Sequence, residues 1–420
     1  MSVIRNTQSM SAGEPAKALW MSTIAFTLCF AVWTIFAIIG IRIKQDLGLN
    51  EAEFGLLVGT PVLTGSLVRI VLGIWTGRYG GRLVYTLTML AAALATFLLS
   101  YAQTYTQMLI AGLGVGLAGG SFAVGVAYVS PFFPPQKQGT ALGIFGAGNV
   151  GAAVTKFAAP FVLIAWGWQA VAQIWAVGLA LMAIVFWFTT TDDPAFRLRR
   201  EGKVASKSLA QEFAPLKNVQ VWRFSLYYFF AFGGFVALSL WLPRYLVGVY
   251  GFNLATAGMV AAAYSIPGSI FRAFGGVVSD KKGARSVMYV MFAVAAVATL
   301  ILSLPAAGAS ATVGITPAVF IVVIFALGFV MSLGKAAVYK HIPAYYPESV
   351  GAVGGIVGMM GGLGGFILPI AFGFLKDMTG LWSSCFMLLF AIVIISLVWM
   401  HLSVKQLNRR GLSAQAVAAT

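Results

Sequence analysis

Long apolar runs, separated by short polar segments, make up most of the chain. Runs of spanning length fall at about 19–40, 54–76, 83–102, 107–130, 139–165 and 168–190, and again at about 224–248, 256–278, 286–305, 317–339, 354–375 and 382–403. Each run is continuously apolar over about 20 residues, which is the length of a membrane-spanning helix, and lacks the alternation of a barrel strand. The pattern predicts an all-α membrane protein with 12 transmembrane helices.

Composition excludes the soluble classes of protein. The 420 residues are 60% hydrophobic and only 9% charged, whereas soluble domains carry about 25% charged residues. A soluble enzyme, a nucleic-acid binder and a secreted scaffold are therefore excluded. Cys29 and Cys385 both lie inside apolar runs, so we interpret them as packing residues and predict neither a disulfide, nor a metal site, nor a cofactor. The first run begins near Leu19 and is long enough to span, so no cleavable signal peptide is evident.

One long polar segment divides the chain into halves. It covers residues 191–223 and contains the basic residues Arg197, Arg199, Arg200, Lys203, Lys207, Lys217 and Arg223. We predict an N-terminal six-helix bundle over residues 1–190, a linker over 191–223 and a C-terminal six-helix bundle over 224–420.

Basic residues lie mostly on one side of the predicted membrane. With the N-terminus inside, the termini and even-numbered loops hold 19 of the 27, including Arg78, Arg82, Lys137, Lys281, Lys282, Arg285, Lys340, Arg409 and the linker set. The odd-numbered loops hold four, namely Arg42, Lys44, Arg244 and Lys376. Because basic residues are retained on the cytoplasmic side, we predict a multi-pass inner-membrane protein with both termini in the cytoplasm. The formal charge of +16 is therefore explained by the membrane topology and does not indicate a nucleic-acid partner.

The two halves resemble each other in sequence. Gly65–Gly73 (GSLVRIVLG) in the second run recurs 203 residues later as Gly268–Gly276 (GSIFRAFGG) in the eighth. Phe132-Phe-Pro134, followed by the glycine-rich stretch 143–151, likewise recurs as Tyr345-Tyr-Pro347, followed by 355–364. Parallel repeats of six helices are typical of transporters that work by alternating access around a central site between pseudo-symmetric halves.

Four basic residues lie within the spans, and all 11 acidic residues lie outside them. The four are Arg69, Lys156, Arg272 and Lys335. Each costs at least ~2.5–3.5 kcal/mol at the bilayer centre, so cations without counter-ions indicate an anionic ligand. The alternative for the arginines is that their heads reach the membrane surface. For the lysines, the alternative to a substrate or coupling role is hydrogen bonding to carbonyl groups exposed by glycine-rich helices.

Glycine is concentrated in the fifth and eleventh runs. Small residues let transmembrane helices approach closely, so packing explains most of these glycines without a ligand. Asn149 is the lone amide in the first stretch. It can either bridge helices or bind substrate, and the sequence leaves both open.

These motifs resemble the nitrate/nitrite porters (NarK-like) of the major facilitator superfamily along the whole chain. Residues 133–139 leading into 146–151 are similar to the first nitrate signature, and 358–365 to the second. Residues 73–82 and 276–285 are similar to the superfamily loop motif. Gly77 stands where that motif usually has an acidic residue, so a charge contact between helices is expected to be missing there.

The resemblance implies a transported anion and a set of residues that bind it. Carried over residue by residue, the substrate-binding set is Arg69, Arg272, Tyr228, Phe232, Phe30 and Asn149, and the signature glycines are Gly146, Gly148, Gly151, Gly358, Gly361, Gly362 and Gly364. In the family the arginines bind the anion between aromatic rings, here Phe232 and Phe30. The planar guanidinium forks suit nitrate, which is flat and monovalent. Some members carry asparagine where Ser121 and Tyr128 stand, so the choice between nitrate and nitrite stays open.

Three functions follow, none of them enzymatic. The first is nitrate uptake for assimilation, in symport with protons by a carrier that acts as a monomer. The second is nitrate/nitrite antiport, and the third is an anion channel or receptor. For symport we hypothesise that Lys156 or Lys335 is neutral when the site is empty, because burial disfavours a charged amine, and gains a proton when the anion enters. Lys156 is the better candidate, since it follows Asn149 by two helical turns.

Overall fold

The computed structural model describes residues 13–202, 214–306, 314–346 and 350–410. Within these ranges the chain forms helices and loops, with one isolated β-bridge between Ala306 and Ile315. Three residues named above, Lys203, Lys207 and Pro347, lie outside the described residues.

The membrane-spanning helices account for most of the described chain. They are α1 (Glu14–Leu47), α2 (Glu51–Tyr79), α3 (Gly81–Leu99), α4 (Tyr105–Phe132), α5 and α6 (together Thr140–Thr189), α7 (Val219–Tyr250), α8 (Leu254–Lys282), α9 (Ala284–Leu302), α10 (Pro317–Ile342), α11 (Val353–Thr379) and α12 (Ser384–Leu407). The helical path of α5 already begins in Pro135–Gly146, before the first residue of that spanning stretch. Over the described ranges this makes 11 helices that are long and apolar enough to cross a membrane.

One of the eleven contains two spans. Thr140–Thr189 has 50 residues, about 75 Å of helix against a hydrocarbon core of about 30 Å. Gly167 interrupts it with φ 82° and ψ 169°, a left-handed φ that only glycine adopts freely. The break separates α5 (135–166) from α6 (168–189), which confirms the prediction of 12 spans in an all-α fold.

Several spans are interrupted near their middle. Helix α1 breaks at Thr34 between Glu14–Trp33 and Phe36–Leu47. Helix α5 passes through a 3₁₀ turn at Ala147–Val150, and α7 through a π-helical turn at Phe229–Gly234. Such turns inside helices are common at functional sites and hinges. They leave backbone and side chains in positions that a straight helix would not provide.

The two six-helix bundles meet along two pairs of helices. Helix α2 packs on α11, and α5 packs on α8. With an even number of spans, both described ends of the chain lie on one face, which we call the terminal face; the opposite one is the far face. On the far face the first turn of α2 touches α11, because a Cβ on Gly373 would overlap the backbone of Glu51 and Ala52. The exact boundaries of the bundles and linker remain a prediction.

A short helix follows α6 on the terminal face. Pro194–Arg200 begins with Asp193, whose carboxylate accepts hydrogen bonds from the backbone N–H of Phe196 (2.8 Å) and of Gly81 (3.3 Å). Burial raises the pKa of this carboxyl, while the two N–H donors favour its charged form. Asp193 thus brings a carboxylate to the α2–α3 turn, close to the motif in which Gly77 replaces the usual acid.

Candidate functional site

The two intramembrane arginines lie at corresponding places in the bundles. Arg69 on α2 is 1% exposed, and Arg272 on α8 is 3% exposed, so neither head reaches the membrane surface. Among the described residues, neither forms an ion pair with a carboxylate. Their charges are therefore compensated only by neutral groups, which is expensive in an apolar medium.

Carbonyl groups and ring faces surround Arg69. Its Nη1 donates to the carbonyl oxygen of Gly358 on α11 at 2.6 Å, and its Nε to that of Gly119 on α4 at 3.3 Å. Its Cζ lies 5.5 Å, 5.5 Å and 5.2 Å from the ring centroids of Trp33, Phe122 and Phe232. These distances are within cation–π range. The Gly358 bond joins the N-terminal bundle to α11 of the C-terminal bundle.

Arg272 is less completely bonded. Its Nη2 donates to the hydroxyl oxygen of Tyr228 at 3.3 Å, and its Cζ lies 5.2 Å from the ring of Phe122 and 5.7 Å from that of Tyr339. Within the described ranges, Nη1 has no hydrogen-bond partner. A buried guanidinium nitrogen without an acceptor costs free energy, so this atom is a candidate for binding a ligand. Phe122 lies near both arginines and links the two sides of the site.

The π-helical turn in α7 shapes the aromatic wall. Tyr228 and Phe232 stack with a centroid distance of 5.1 Å and an interplanar angle of 7°. Phe30, the other predicted wall residue, has its ring beside Phe26 and Trp33. Trp33, at 5.2 Å from Phe30, is the residue of that segment that covers Arg69. The structure thus brings Phe232 to Arg69 and places Phe30 one ring further away.

Asn149 is fully buried in the 3₁₀ turn of α5. Among the described residues, its amide nitrogen and oxygen both lack hydrogen-bond partners. The turn packs against α1 and against the α8 segment that carries Arg272. A helix-bridging role would satisfy the amide, so the structure favours the other alternative, a side chain available to a ligand.

The signature glycines make room for the side chains of the site. A Cβ on Gly146 would lie 2.7 Å from Nε of Arg272, one on Gly358 would lie 2.7 Å from the hydroxyl of Tyr339, and one on Gly361 would overlap the ring of Tyr228. The other signature glycines also allow close contacts. Gly148 contacts Phe26, Gly151 contacts the backbone of Thr27 and Ala31, Gly362 contacts the side chain of Ser66, and Gly364 contacts the backbone of Gly233. Close packing at these positions therefore requires the absence of a side chain.

Gly151→Ala is expected to destabilise the protein. A Cβ there would overlap the carbonyl oxygen of Thr27 and lie 2.6 Å from the backbone nitrogen of Ala31, and backbone cannot rotate away. Overpacking of this kind costs about 1–3 kcal/mol. Melting of the detergent-solubilised protein, followed by size-exclusion chromatography, measures the effect. Gly178→Ala is the matched control, since nothing lies within 4 Å of its Cβ position; equal melting temperatures of the two variants would contradict the prediction.

The two buried lysines contact the same part of α8. Lys156 donates from Nζ to Oγ of Ser265 at 2.5 Å, and that oxygen lies 3.3 Å from Oγ of Ser239. Lys335 donates to the carbonyl oxygen of Gly268, and its Nζ lies 3.4 Å from the ring centroid of Phe235. The Lys156 contact crosses from one bundle to the other, whereas both Lys335 contacts stay within the C-terminal bundle.

Comparison with known proteins identifies the family. The Major Facilitator Superfamily model matches residues 21–318 and 254–417. The chain is 43% identical to the probable nitrate/nitrite antiporter NarK1 of Thermus thermophilus over 413 residues, covering 93% of this chain and 92% of that protein. The chain belongs to the NarK-like family of the major facilitator superfamily. A nitrite extrusion protein of Bacillus subtilis is 31% identical, covering 91% of this chain and 94% of that protein. A probable nitrate transporter NarT of Staphylococcus epidermidis is 30% identical, covering 94% and 99%.

Solved structures agree on the fold. A bacterial homologue of the human lysosomal transporter Spinster, in an inward-facing and occupied conformation, superposes with a TM-score of 0.69 at 17% identity, covering 94% of this chain and 98% of that one. Its unoccupied inward-facing form gives 0.71 at 17%, covering 95% and 99%. These likenesses concern the fold alone. The family and its relatives are transporters, so this NarK-like chain is a transporter and not an enzyme.

Three aromatic residues of this NarK-like site were not predicted from the sequence. They are Trp33, Phe122 and Tyr339, all within 6 Å of an arginine Cζ. Tyr339 lies one turn after Lys335 on α10, and its hydroxyl donates to the carbonyl oxygen of Gly354 at 2.9 Å. Two features of the sequence could have pointed to these residues. Tyr339 follows Lys335 by about one helical turn, and Phe122 comes directly after Gly119-Gly-Ser121.

Proposed function

We propose that the chain carries nitrate across the membrane by alternating access between its halves, residues 1–190 and 224–420, and that protons move with the anion. The observation that carries the proposal is the pair of buried arginines, which have no carboxylate partner within the described ranges, next to polar atoms of Arg272 and Asn149 that have no hydrogen-bond partner there. A monovalent oxyanion would accept hydrogen bonds from these groups and offset the buried charge.

The shape of the site favours a flat anion. Ring faces of Phe122 and Phe232 lie near the guanidinium groups, 6.4 Å apart with an interplanar angle of 22°. Nitrate is planar, so its faces can pack on rings while its edge accepts from the arginine forks. The names of relatives point the same way, since they include a nitrate/nitrite antiporter and a nitrate transporter. Nitrite shares the planar shape and the charge, so it is the second substrate of the proposal.

Antiport of nitrate and nitrite is the second candidate mechanism. It is favoured by the 43% identical relative, whose name is nitrate/nitrite antiporter, and by the absence of any Asp or Glu from the predicted spans. Fixed arginines explain exchange directly, because they retain an anion while the halves reorient.

Symport requires a group that takes up the proton, and Lys156 fits that role better than Lys335. Alternating access moves one bundle relative to the other, so the contact between Lys156 and Ser265 must change during the cycle. The contacts of Lys335 with Gly268 and Phe235 can persist because they lie within one bundle. Lys156 thus meets different surroundings in the two states, which is what coupling needs.

We also propose the orientation and location. The basic residues on the terminal face place both termini in the cytoplasm, and the protein in the inner membrane, by the charge rule for short loops. The far face is then the outer one. The carrier is proposed to act as a monomer, since the site is built from one chain.

Uptake of labelled nitrate into proteoliposomes tests the proposal. Symport predicts accumulation driven by an inward proton gradient, and antiport predicts uptake that needs internal nitrite. A channel predicts conductance without saturation, and a receptor predicts binding without flux. If neither gradient nor internal nitrite supports nitrate uptake, the proposed function is wrong.

Tyr228→Phe is expected to weaken nitrate binding. The hydroxyl of Tyr228 accepts from Arg272 and can donate its own proton to the anion, a charge-assisted bond worth about 1.5–3 kcal/mol. The dissociation constant, measured by calorimetry, should therefore rise roughly tenfold or more. Tyr250→Phe on the far face is the matched control, because its hydroxyl donates to the carbonyl oxygen of Ile315. Equal affinity in Tyr228→Phe and wild type would limit Tyr228 to packing.

A further inference from the structure

The far face carries a pocket at the junction of the two bundles. Its volume is about 320 Å³, and Lys44, Gln45 and Gly48 of the N-terminal bundle line it together with Arg244 of the C-terminal bundle. A water molecule occupies about 30 Å³ in the liquid, so an inorganic anion fits with its hydration water. Two of the four basic residues on the far face line this one pocket.

Glu51 holds both cations of the pocket. Its carboxylate accepts from Nη2 and Nε of Arg244, the latter at 3.3 Å, and lies 3.7 Å from Nζ of Lys44. The side chains of Glu51, Lys44 and Arg244 are 12%, 17% and 20% exposed. The two-pronged contact with Arg244 crosses the bundle interface. It is the geometry in which arginine also binds planar oxyanions.

The neighbouring charges leave the pocket basic. Arg244 packs over the ring of Trp382 at 5.0 Å, and Lys376 packs over the same ring at 5.1 Å. The other acids of this face have partners elsewhere: Asp377 accepts from the backbone N–H of Ala52 at 3.1 Å, Asp46 pairs with Arg42, and Glu53 accepts from the backbone N–H of Asn50. The two cations that line the pocket therefore share one carboxylate, that of Glu51. Alternating access would separate the halves on this face, which would break the contact between Arg244 and Glu51 and expose the charge of Arg244 to the solution.

We propose that this pocket is a second anion-binding site, where Arg244 and Lys44 bind the oxyanion arriving from the far face and Glu51 competes with it. The proposal rests on the proposed function, because it takes the bound oxyanion to be the transported one. Anion binding and separation of the far face favour each other by linkage, since the anion binds only when Glu51 has released Arg244. The arrival of substrate thereby promotes the opening that admits it.

Two variants both lack the contact between Glu51 and Arg244, but only one of them keeps the cation of Arg244. Comparing them separates anion binding from loss of the contact. In Glu51→Gln the competitor is removed and Arg244 is free, so the half-saturating nitrate concentration for uptake should fall roughly fivefold. In the double variant Glu51→Gln with Arg244→Gln the contact is equally absent, but so is the cation, and the value should return to that of wild type or above. Equal half-saturation in the single and double variants would overturn the proposal.

A distance measurement provides a readout independent of transport. Spin labels at Tyr101→Cys and Met378→Cys, both exposed on the far face in different bundles, report their separation in a background without Cys29 and Cys385. With the central site disabled by Arg69→Gln, nitrate should still lengthen this distance, whereas gluconate at the same ionic strength should not. No response to nitrate would overturn the proposal. Absence of nitrate uptake in wild type would instead refute the proposed function, so the two failures are distinguishable.

Discussion

Arg272→Lys is expected to reduce nitrate binding at least about 100-fold. Arginine reaches Tyr228 with one terminal nitrogen and offers the other, unpaired, to a ligand. Lysine has a single terminal nitrogen, so it cannot make both bonds at this distance, and it loses the planar contact with the ring of Phe122. The loss of one charge-assisted bond, worth about 1.5–3 kcal/mol, together with the loss of the cation–π contact accounts for the size of the effect. Calorimetric binding and proteoliposome uptake both measure it.

Arg42→Lys is the matched control for this experiment. Arg42 lies on the far face, where it pairs with Asp46 across one helical turn and its side chain is 57% exposed. Exchange of one cation for another at such a surface pair changes little. Uptake at the wild-type rate by Arg272→Lys, at equal expression, would remove Arg272 from the binding site.

Lys156→Gln is expected to abolish accumulation driven by a proton gradient while sparing nitrate exchange. Glutamine retains an N–H donor on a side chain that is one bond shorter but cannot take up a proton, so the site still binds the anion and loses only the coupled charge. Lys156 is fully buried, and burial disfavours the charged amine until an anion enters the site. Uptake with and without a pH gradient, and exchange at equal pH, separate the two activities.

Lys335→Gln is the matched control, because its contacts lie within one bundle. We expect this variant to keep gradient-driven accumulation. If both lysine variants keep it, neither lysine alone couples protons to transport and the symport mechanism proposed here is wrong. If wild type shows no gradient-driven uptake, antiport with nitrite takes its place.

The spans and the buried charges could be predicted because both signals are local. A run of 20 apolar residues is sufficient to identify a spanning helix, and a lysine or arginine inside it needs a specific reason. Arg69, Arg272, Lys156 and Lys335 were identified in this way, and all four are buried. Even the break between α5 and α6 at Gly167 fell between the two predicted runs.

The aromatic wall could not be predicted, because it depends on how the helices are interrupted. Aromatic residues are frequent in every span, so the choice among them requires the direction of each side chain. Phe30 and Trp33 lie about one turn apart in the same segment of α1, and the sequence does not show that Trp33 is the one that lies over Arg69. The 3₁₀ turn around Asn149 changes the turn angle per residue, so the two-turn spacing to Lys156 does not place both side chains together. Of these two side chains, Asn149 has no hydrogen-bond partner among the described residues, whereas Lys156 donates to Ser265.

The glycines of α11 have a consequence for the range of ions that the protein can evolve to accept. Gly361, Gly358 and Gly362 lie directly against the side chains of Tyr228, Tyr339 and Ser66, respectively. As glycines, they have no side chain that a substitution could shorten. Point substitution at these three positions can only add atoms, so it can narrow the space around the arginines but never widen it. On this side of the site, more room would require the whole helix to shift, which many residues oppose at once. Substitutions that enlarge the site must therefore shorten the rings on its other sides, such as Phe122 and Phe232, and each of these also contacts an arginine.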